Sequence, residues 1–217
     1  MLAFCIQYWH GDREQAMAVA KLMADIEPKK RDDVVMVFAA RFDCPHDIPA
    51  IDYVSKKFRV ELFKSRPHRT GWPGGPNDLF AQSYMWCVEQ TRFKKFDVDG
   101  VFFMEADDIP LDLNWIDHIK AEWEECKKAG KQVMGCYLMQ GDCGTEHING
   151  NCIFHIDFWR NNKSIFTPGN GGWDADAWHM VQPVAYPSRL IWSDYGLGKP
   201  DYNPWTGCER LFETKRF

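Results

Sequence analysis

No run of about 18 or more apolar residues occurs anywhere in the chain, so no segment has the length and hydrophobicity of a membrane-spanning helix. The amino terminus has neither the basic segment nor the apolar stretch of a secretory signal. The eight cysteines, at 5, 44, 87, 126, 136, 143, 152 and 208, form no Cys-x-x-Cys pair, and several lie inside apolar runs. This argues against a zinc site or a disulfide framework and for reduced, buried thiols. Basic excess is also missing: the formal net charge is −5, which excludes a broad surface for nucleic acid or anionic lipid. There is no internal repeat and no low-complexity tract. The expectation is a soluble cytoplasmic protein with no membrane insertion; oligomeric state stays open.

What is abundant is tryptophan, ten in 217 residues, against an otherwise average balance of 45% hydrophobic and 26% charged side chains. Most of these rings should be core, and the remainder suit stacking surfaces. The length fits one domain by the usual range of roughly 100–200 residues. Residues 2–8 and 33–40 read as buried strands and 58–63 alternates as a third. A helical pattern of Ala16, Val19, Ala20, Leu22, Met23 and Ile26 lies between the first two, and an amphipathic segment spans 48–57. Residues 65–77 are rich in Pro and Gly and must be a loop, after which Asn77 or Asp78 caps a helix to about Thr91.

The strand 100–104 follows, then a helix capped by Asp112 or Asn114 that turns Trp115, Ile116, Ile119 and Trp123 inward and ends at Gly130. Val133–Met139 and Ile148–Ile156 are two more strands flanking the turn-rich 140–146. Residues 167–179 form a Gly-rich loop entering a short helix, and the last forty residues are mostly loop. This alternation implies an α/β fold with a mainly parallel sheet covered on both faces and a short mixed C-terminal part. In such sheets ligands bind beyond the carboxyl ends of the strands, where Gln7-Tyr8-Trp9, Arg41-Phe42-Asp43 and an acidic cluster all fall.

That cluster ends the run Val101-Phe-Phe-Met-Glu-Ala-Asp-Asp-Ile-Pro110. Like charges this close raise one another's pKa unless something positive sits among them. The two-residue repeat of an extended chain lets Glu105 and Asp107 face the same side, as a hard divalent cation such as Mg²⁺ or Mn²⁺ requires. The alternative is that Asp107 or Asp108 caps the turn at Ile109-Pro110. Lys56, Lys57, Arg59, Lys64, Arg66 and Arg69 form a basic cluster that reads either as a solvated face or as a small anion-binding patch.

Phe-Phe-Met-Glu-Ala-Asp-Asp-Ile-Pro-Leu followed by Asn-Trp-Ile-Asp resembles the acidic motif of nucleotide-sugar-dependent glycosyltransferases of the GT-A fold. Gly71-Trp-Pro-Gly-Gly-Pro-Asn77 is similar to their donor-side loop. His147-Ile-Asn-Gly-Asn151 resembles an element of some small GT-A-like proteins, and Gly171-Gly-Trp-Asp-Ala-Asp176 the acidic loop-to-helix motif of inverting galactosyltransferases. The resemblance spans about residues 2–180. One departure is Glu105, which stands where many members have an Asp and lengthens the arm.

The resemblance implies a GT-A-like (Rossmann-like) single domain, with a donor half at 1–110 and an acceptor half at 111–217. It implies a metal held by Asp107 with Glu105 and Asp108, to which His179 is a further candidate against a structural role. Asp174, or Asp176, would be the base, unless Asp174 is a helix cap. Gln7, Tyr8, Trp9, Arg41, Asp43, Arg69, Gly74 and Asn77 would contact the nucleotide sugar. His147, Asn149, Gly150, Asn151 and Trp173 would contact sugar or acceptor, a tight turn being the alternative for Asn149–Asn151.

A UDP-sugar is the donor most often used by this family. The short, anchor-free chain resembles small phage-type enzymes that decorate hydroxymethylated pyrimidines in DNA, which would put it in the cytoplasm of an infected host. Envelope glycans or lipid-linked sugars are the other acceptor class. A metal-dependent nucleotidyltransferase and a non-catalytic carbohydrate-binding protein complete the alternatives; the former usually carries a Gly-rich, Lys- or Arg-containing loop after strand one, which Trp9-His-Gly-Asp12 is not.

Overall fold

Leu2–Tyr8 and Val34–Ala40 are apolar at nearly every position, which a strand sustains only where both faces of its sheet are covered. The computed structural model, which describes residues 1–138, 147–166, 172–192 and 212–214, has that cover. In chain order its elements are β1 (Leu2–Tyr8), α1 (Arg13–Ile26), β2 (Arg31–Ala40), α2 (Ile48–Ser55), β3 (Phe58–Lys64), α3 (Gly74–Arg92), β4 (Gly100–Met104), β5 (Asp108–Pro110) and α4 (Trp115–Lys128). Then come β6 (Val133–Leu138), β7 (His147–His155), the short helices α5 (Trp173–Asp176) and α6 (Trp178–Val181), β8 (Ala185–Pro187) and β9 (Phe212–Thr214).

Seven strands form one sheet in the order β3-β2-β1-β4-β7-β6-β8. The first four are mutually parallel, β7 runs antiparallel to β4 and to β6, and β8 is parallel to β6. Alternation along the strands divides the core. Phe4, Ile6, Met36 and Phe38 pack under α1, α2 and α4, whereas Cys5, Val35, Val37 and Phe103 pack under α3, α5 and α6. The α/β fold with a mainly parallel, doubly covered sheet is thus as expected.

Two local expectations are corrected. Leu22 is exposed, because Ala24 rather than Leu22 completes the buried stripe of α1. Helix α3 begins at Gly74, not at Asn77 or Asp78: Pro73 is its cap, and Asn77 N donates to Pro73 O at 3.1 Å. Pro76 is tolerated there because the first turn has no intrahelical acceptor for its missing N–H. Helix α4 does stop where Gly130, at φ 71°, takes the left-handed conformation that ends helices. The six described cysteines are buried thiols, none in a disulfide. Residues 139–146, 167–171, Tyr195, Tyr202, Trp205, Cys143 and Cys208 lie outside the described residues.

Candidate functional site

The carboxyl ends of β1, β2 and β4 open into a cleft of about 480 Å³. Pairing sets its walls: Ile6 lies beside Met104 and Tyr8 beside Ala40, so Gln7, Tyr8 and Trp9 emerge between Arg41 on one side and Glu105 and Asp107 on the other. Gly150 from β7 and Trp173 from α5 close the far wall. Eight of the residues proposed from sequence therefore meet here: Gln7, Tyr8, Trp9, Arg41, Glu105, Asp107, Gly150 and Trp173.

The three clustered carboxylates have different fates. Asp108 is buried at 1% exposure, and its two oxygens accept from Glu105 N at 2.9 Å and from Asn151 Nδ2 at 2.6 Å. Charge-assisted bonds of this kind hold a buried carboxylate in place. Asn151 Oδ1 accepts weakly from the same Glu105 amide at 3.4 Å, so Asp108 and Asn151 together fix the turn after β4. Glu105 is exposed and Asp107 half-buried, both on the cleft. Gly150 leaves the Glu105 carboxylate its room: a Cβ there would stand 3.1 Å from Glu105 Oε1.

Among the described residues no three His, Cys, Asp or Glu side chains gather as a metal-ligand set. Two cleft carboxylates still suit a hard cation, which commonly takes one or two carboxylates and completes its shell with substrate phosphate and water. The four-residue set Glu105, Asp107, Asp108 and His179 is not assembled: Asp108 points into the protein and His179 is exposed on α6, off the cleft.

On the opposite wall Trp9 is 43% exposed, with the Arg41 guanidinium 4.9 Å from its ring centroid. Arg41 is clamped by Asp43 through bonds of 2.6 and 2.7 Å, and His10 Nδ1 lies 3.2 Å from it. This pairing pushes the Asp43 carboxyl below its ordinary range. The Trp9 indole lies so close over Gly11 that a Cβ there would overlap the ring, so any side chain at position 11 requires the indole to move. Gln7 Nε2 donates to Ser83 Oγ at 2.9 Å, and Tyr8 Oη lies 2.6 Å from His46 Nδ1.

Asp12, which sequence reasoning passed over, also lines the cleft and accepts from Trp9 N at 2.8 Å. Burial pushes its carboxyl upward against the lowering effect of that bond, and the nearby Asp107 charge adds to the rise. Its signal was local: an Asp three residues after Trp9, just ahead of an amphipathic helix, is the residue expected to close such a turn.

Several proposed residues fall elsewhere. Asn77 is buried, and its Oδ1 accepts from Trp173 N at 3.0 Å while Trp173 stacks on Phe80 at 3.8 Å and 2°. It anchors α5 to α3. Arg69 is engaged with Asp78 at 2.9 Å, Gly74 packs beside Arg69, and Gly71, Trp72, Gly75 and Pro76 form the cleft wall instead. The shift follows from the earlier start of α3. His147, Asn149 and Asn151 are buried on one face of β7, and of residues 147–151 only Gly150, on the other face, reaches the cleft. Asp174 is half-buried with Oδ1 folded against Gly172, and Asp176 is exposed. The charges of Asp174, Glu105 and Asp108 all act on the buried Cys152 thiol, whose pKa burial raises well above normal, so Asp174 lies near the acidic turn although not on the cleft.

No family model matches the chain, and no curated protein matches it in sequence. Solved structures match in fold. TarS from S. aureus aligns over 99% of this chain and 36% of its own, at a TM-score of 0.59 and 10% identity. This chain thus spans little more than a third of that protein. An active-site mutant of LgtC aligns over 98% of this chain and 86% of its own, at 0.58 and 8%. Mouse xyloside xylosyltransferase 1, in its apo form, aligns over 99% and 97%, at 0.57 and 8%. At these identities the likeness is one of architecture, and the architecture is GT-A-like.

Proposed function

We propose that the chain is a glycosyltransferase that moves a hexose from a nucleoside-diphosphate sugar, a UDP-sugar, to a hydroxyl acceptor. The observation that carries this reading is that Glu105 and Asp107 face Trp9 and Arg41 across one cleft at the carboxyl ends of a GT-A-like sheet. Carboxylates on one wall and an aromatic–cation pair on the other match a ligand that is a diphosphate at one end and a planar base at the other.

Asp107, with Glu105 beside it, would hold Mn²⁺ or Mg²⁺, which when bound offsets charge on the departing diphosphate. Asp108 supports that pair from behind, through the Glu105 amide. Trp9 offers its face to the base, and Arg41, aligned by Asp43, offers its donors to the base or ribose. Residues 1–110 thus supply the donor wall, while Gly150 and Trp173 from 111–217 border the sugar and acceptor. Asp174, next to Trp173, would take the acceptor proton in an inverting reaction, with Asp176 the more exposed second choice. For the acceptor, we favour a 5-hydroxymethylpyrimidine in DNA over an envelope glycan or lipid-linked sugar. Buried, unbridged cysteines agree with a cytoplasmic setting. Among the described residues no helix is long and apolar enough to cross a membrane.

Asp107→Asn tests the reading directly. Hydrolysis of UDP-sugar should fall by at least about a hundredfold and Mn²⁺-dependent UDP binding should disappear, while the melting temperature stays within about 2 °C of wild type. Normal turnover in this variant would reject the role. For the acceptor, nucleotide sugars are incubated with hydroxymethylcytosine DNA, hydroxymethyluracil DNA and simple glycans, and products are read by mass spectrometry. Absence of product on both DNAs rejects the DNA acceptor; pyrophosphate release from a nucleoside triphosphate would indicate a nucleotidyltransferase.

A further inference from the structure

The loop between β3 and α3 is the shared wall of two cavities. Its far end, Gly71 and Trp72, borders the cleft. Its near end, Arg66 and Pro67, borders a second, open groove of about 600 Å³ whose other walls include Phe63, Lys64, Met85 and Trp86. The loop is braced rather than loose: Ser65 N donates to Ala40 O at 3.0 Å, Arg66 N to Gln82 Oε1 at 2.8 Å, and Arg69 N to Asp78 Oδ2 at 3.0 Å.

The basic cluster divides around this loop. Arg59 is engaged by Glu61, Arg69 by Asp78, and Lys57 Nζ by the Glu27 carbonyl. Lys64 and Arg66 are exposed, and among the described residues neither side chain is in an ion pair; Glu89 is the carboxylate on the groove's wall. Beside these cations stand two indoles. Trp86 is half-buried against Phe63 at 5.6 Å, and Trp72 is 80% exposed on the cleft with no ring or hydrogen-bond partner among the described residues. A bare phosphodiester chain would need the cations alone. Two exposed cations at the near end of the loop and an exposed indole, Trp72, at its far end suit a chain that alternates phosphates with flat rings.

We propose that the loop of residues 65–73 is the acceptor-binding ridge: a single-stranded polynucleotide lies along it, with phosphates at Lys64 and Arg66 and one unstacked base on Trp72 at the cleft mouth. This rests on the glycosyl-transfer reading and gives its acceptor side a surface. The charge is two cations, not a broad patch, so binding is weak, salt-sensitive and local, as the overall acidity of the chain requires.

The test uses fluorescence anisotropy with fluorescein-labelled oligothymidylate, without divalent metal, from 50 to 200 mM NaCl. Wild type should bind and weaken with salt. The double substitution Lys64→Gln/Arg66→Gln should weaken binding several-fold and reduce the slope of log affinity against log salt by about 1.4, at about 0.7 for each phosphate no longer neutralised. Trp72→Ala should weaken binding roughly tenfold and leave that slope in place. UDP binding by the double variant should match wild type.

Affinity for the oligonucleotide unchanged within twofold in either variant, or no binding by wild type, overturns the proposal. So does equal competition by poly(glycerol phosphate), a chain without rings. Loss of the donor reading would appear separately, as wild type that binds the oligonucleotide but neither binds UDP nor hydrolyses a UDP-sugar.

Discussion

The two ends of the sheet carry similar residues to opposite effect. At the amino end opposite charges interlock: Arg31, 5% exposed, reaches Asp33 at 2.8 Å, Asp117 at 2.5 Å and Glu27 at 3.5 Å. Lys120 closes on Asp33, and Lys127 joins Asp99 to Glu124. At the carboxyl end Asp12, Glu105 and Asp107 line an open cleft together with Arg41; the Asp107 charge adds to the burial-driven rise of the Asp12 carboxyl, and Arg41 opposes it. The first arrangement stabilises the chain by itself. The second leaves carboxylates on an open cleft, which is where the proposed function places the donor.

Beyond the Asp107→Asn loss described above, the contrast can be broken from either side. Arg31→Ala should have the largest effect on stability, about 2–4 kcal/mol, because it strands the buried Glu27 and two partners; turnover per folded molecule should hold, and a melting curve with a specific-activity assay checks both. Arg31 keeps the Asp33 and Asp117 carboxyls below their ordinary value of 3.8. Their contribution to stability is therefore present above about pH 4 and lost as pH falls through the lowered values. Thermal scans between pH 2.5 and 6 should find that loss in wild type and a flatter profile in Arg31→Ala.

Asp108→Ala should cost about 1–3 kcal/mol, since the Glu105 amide and the Asn151 side chain lose their main acceptor. Unlike Asp107→Asn, it should lower the melting temperature, and an unchanged melt would remove Asp108 from the supporting role. Gly11→Ala has the smallest expected effect. The added methyl displaces the Trp9 ring, so UDP affinity should drop roughly tenfold, or about 1.4 kcal/mol, with little change in the melt; calorimetric titration measures it.

Most elements were legible because their signals are local. The nearly continuous apolar runs at 2–8 and 34–40, the stripe of α4 and Gly130 each act within a few residues of themselves. The start of α3 was misplaced because Pro-Gly-Gly-Pro reads as a breaker, whereas a first helical turn accepts it. The strands β5, β8 and β9, three residues each, were missed, being too short to carry a period.

For the site, local sequence determined the chemistry on offer: acidic groups ending a buried strand, a Trp and an Arg each just past the end of another strand, and a glycine between asparagines. Which of these face one another was decided by strand order, since β1 lies between β2 and β4 only through long-range pairing. Tertiary packing also turned Asp108 and Asn151 inward as a clamp, left Glu105 and Asp107 on the cleft, and brought Asp12 and Trp72 to its walls. A run of residues sets which groups can bind an ion or stack on a ring. Only the folded sheet sets the distances between them, because each partner comes from a segment far away in the chain.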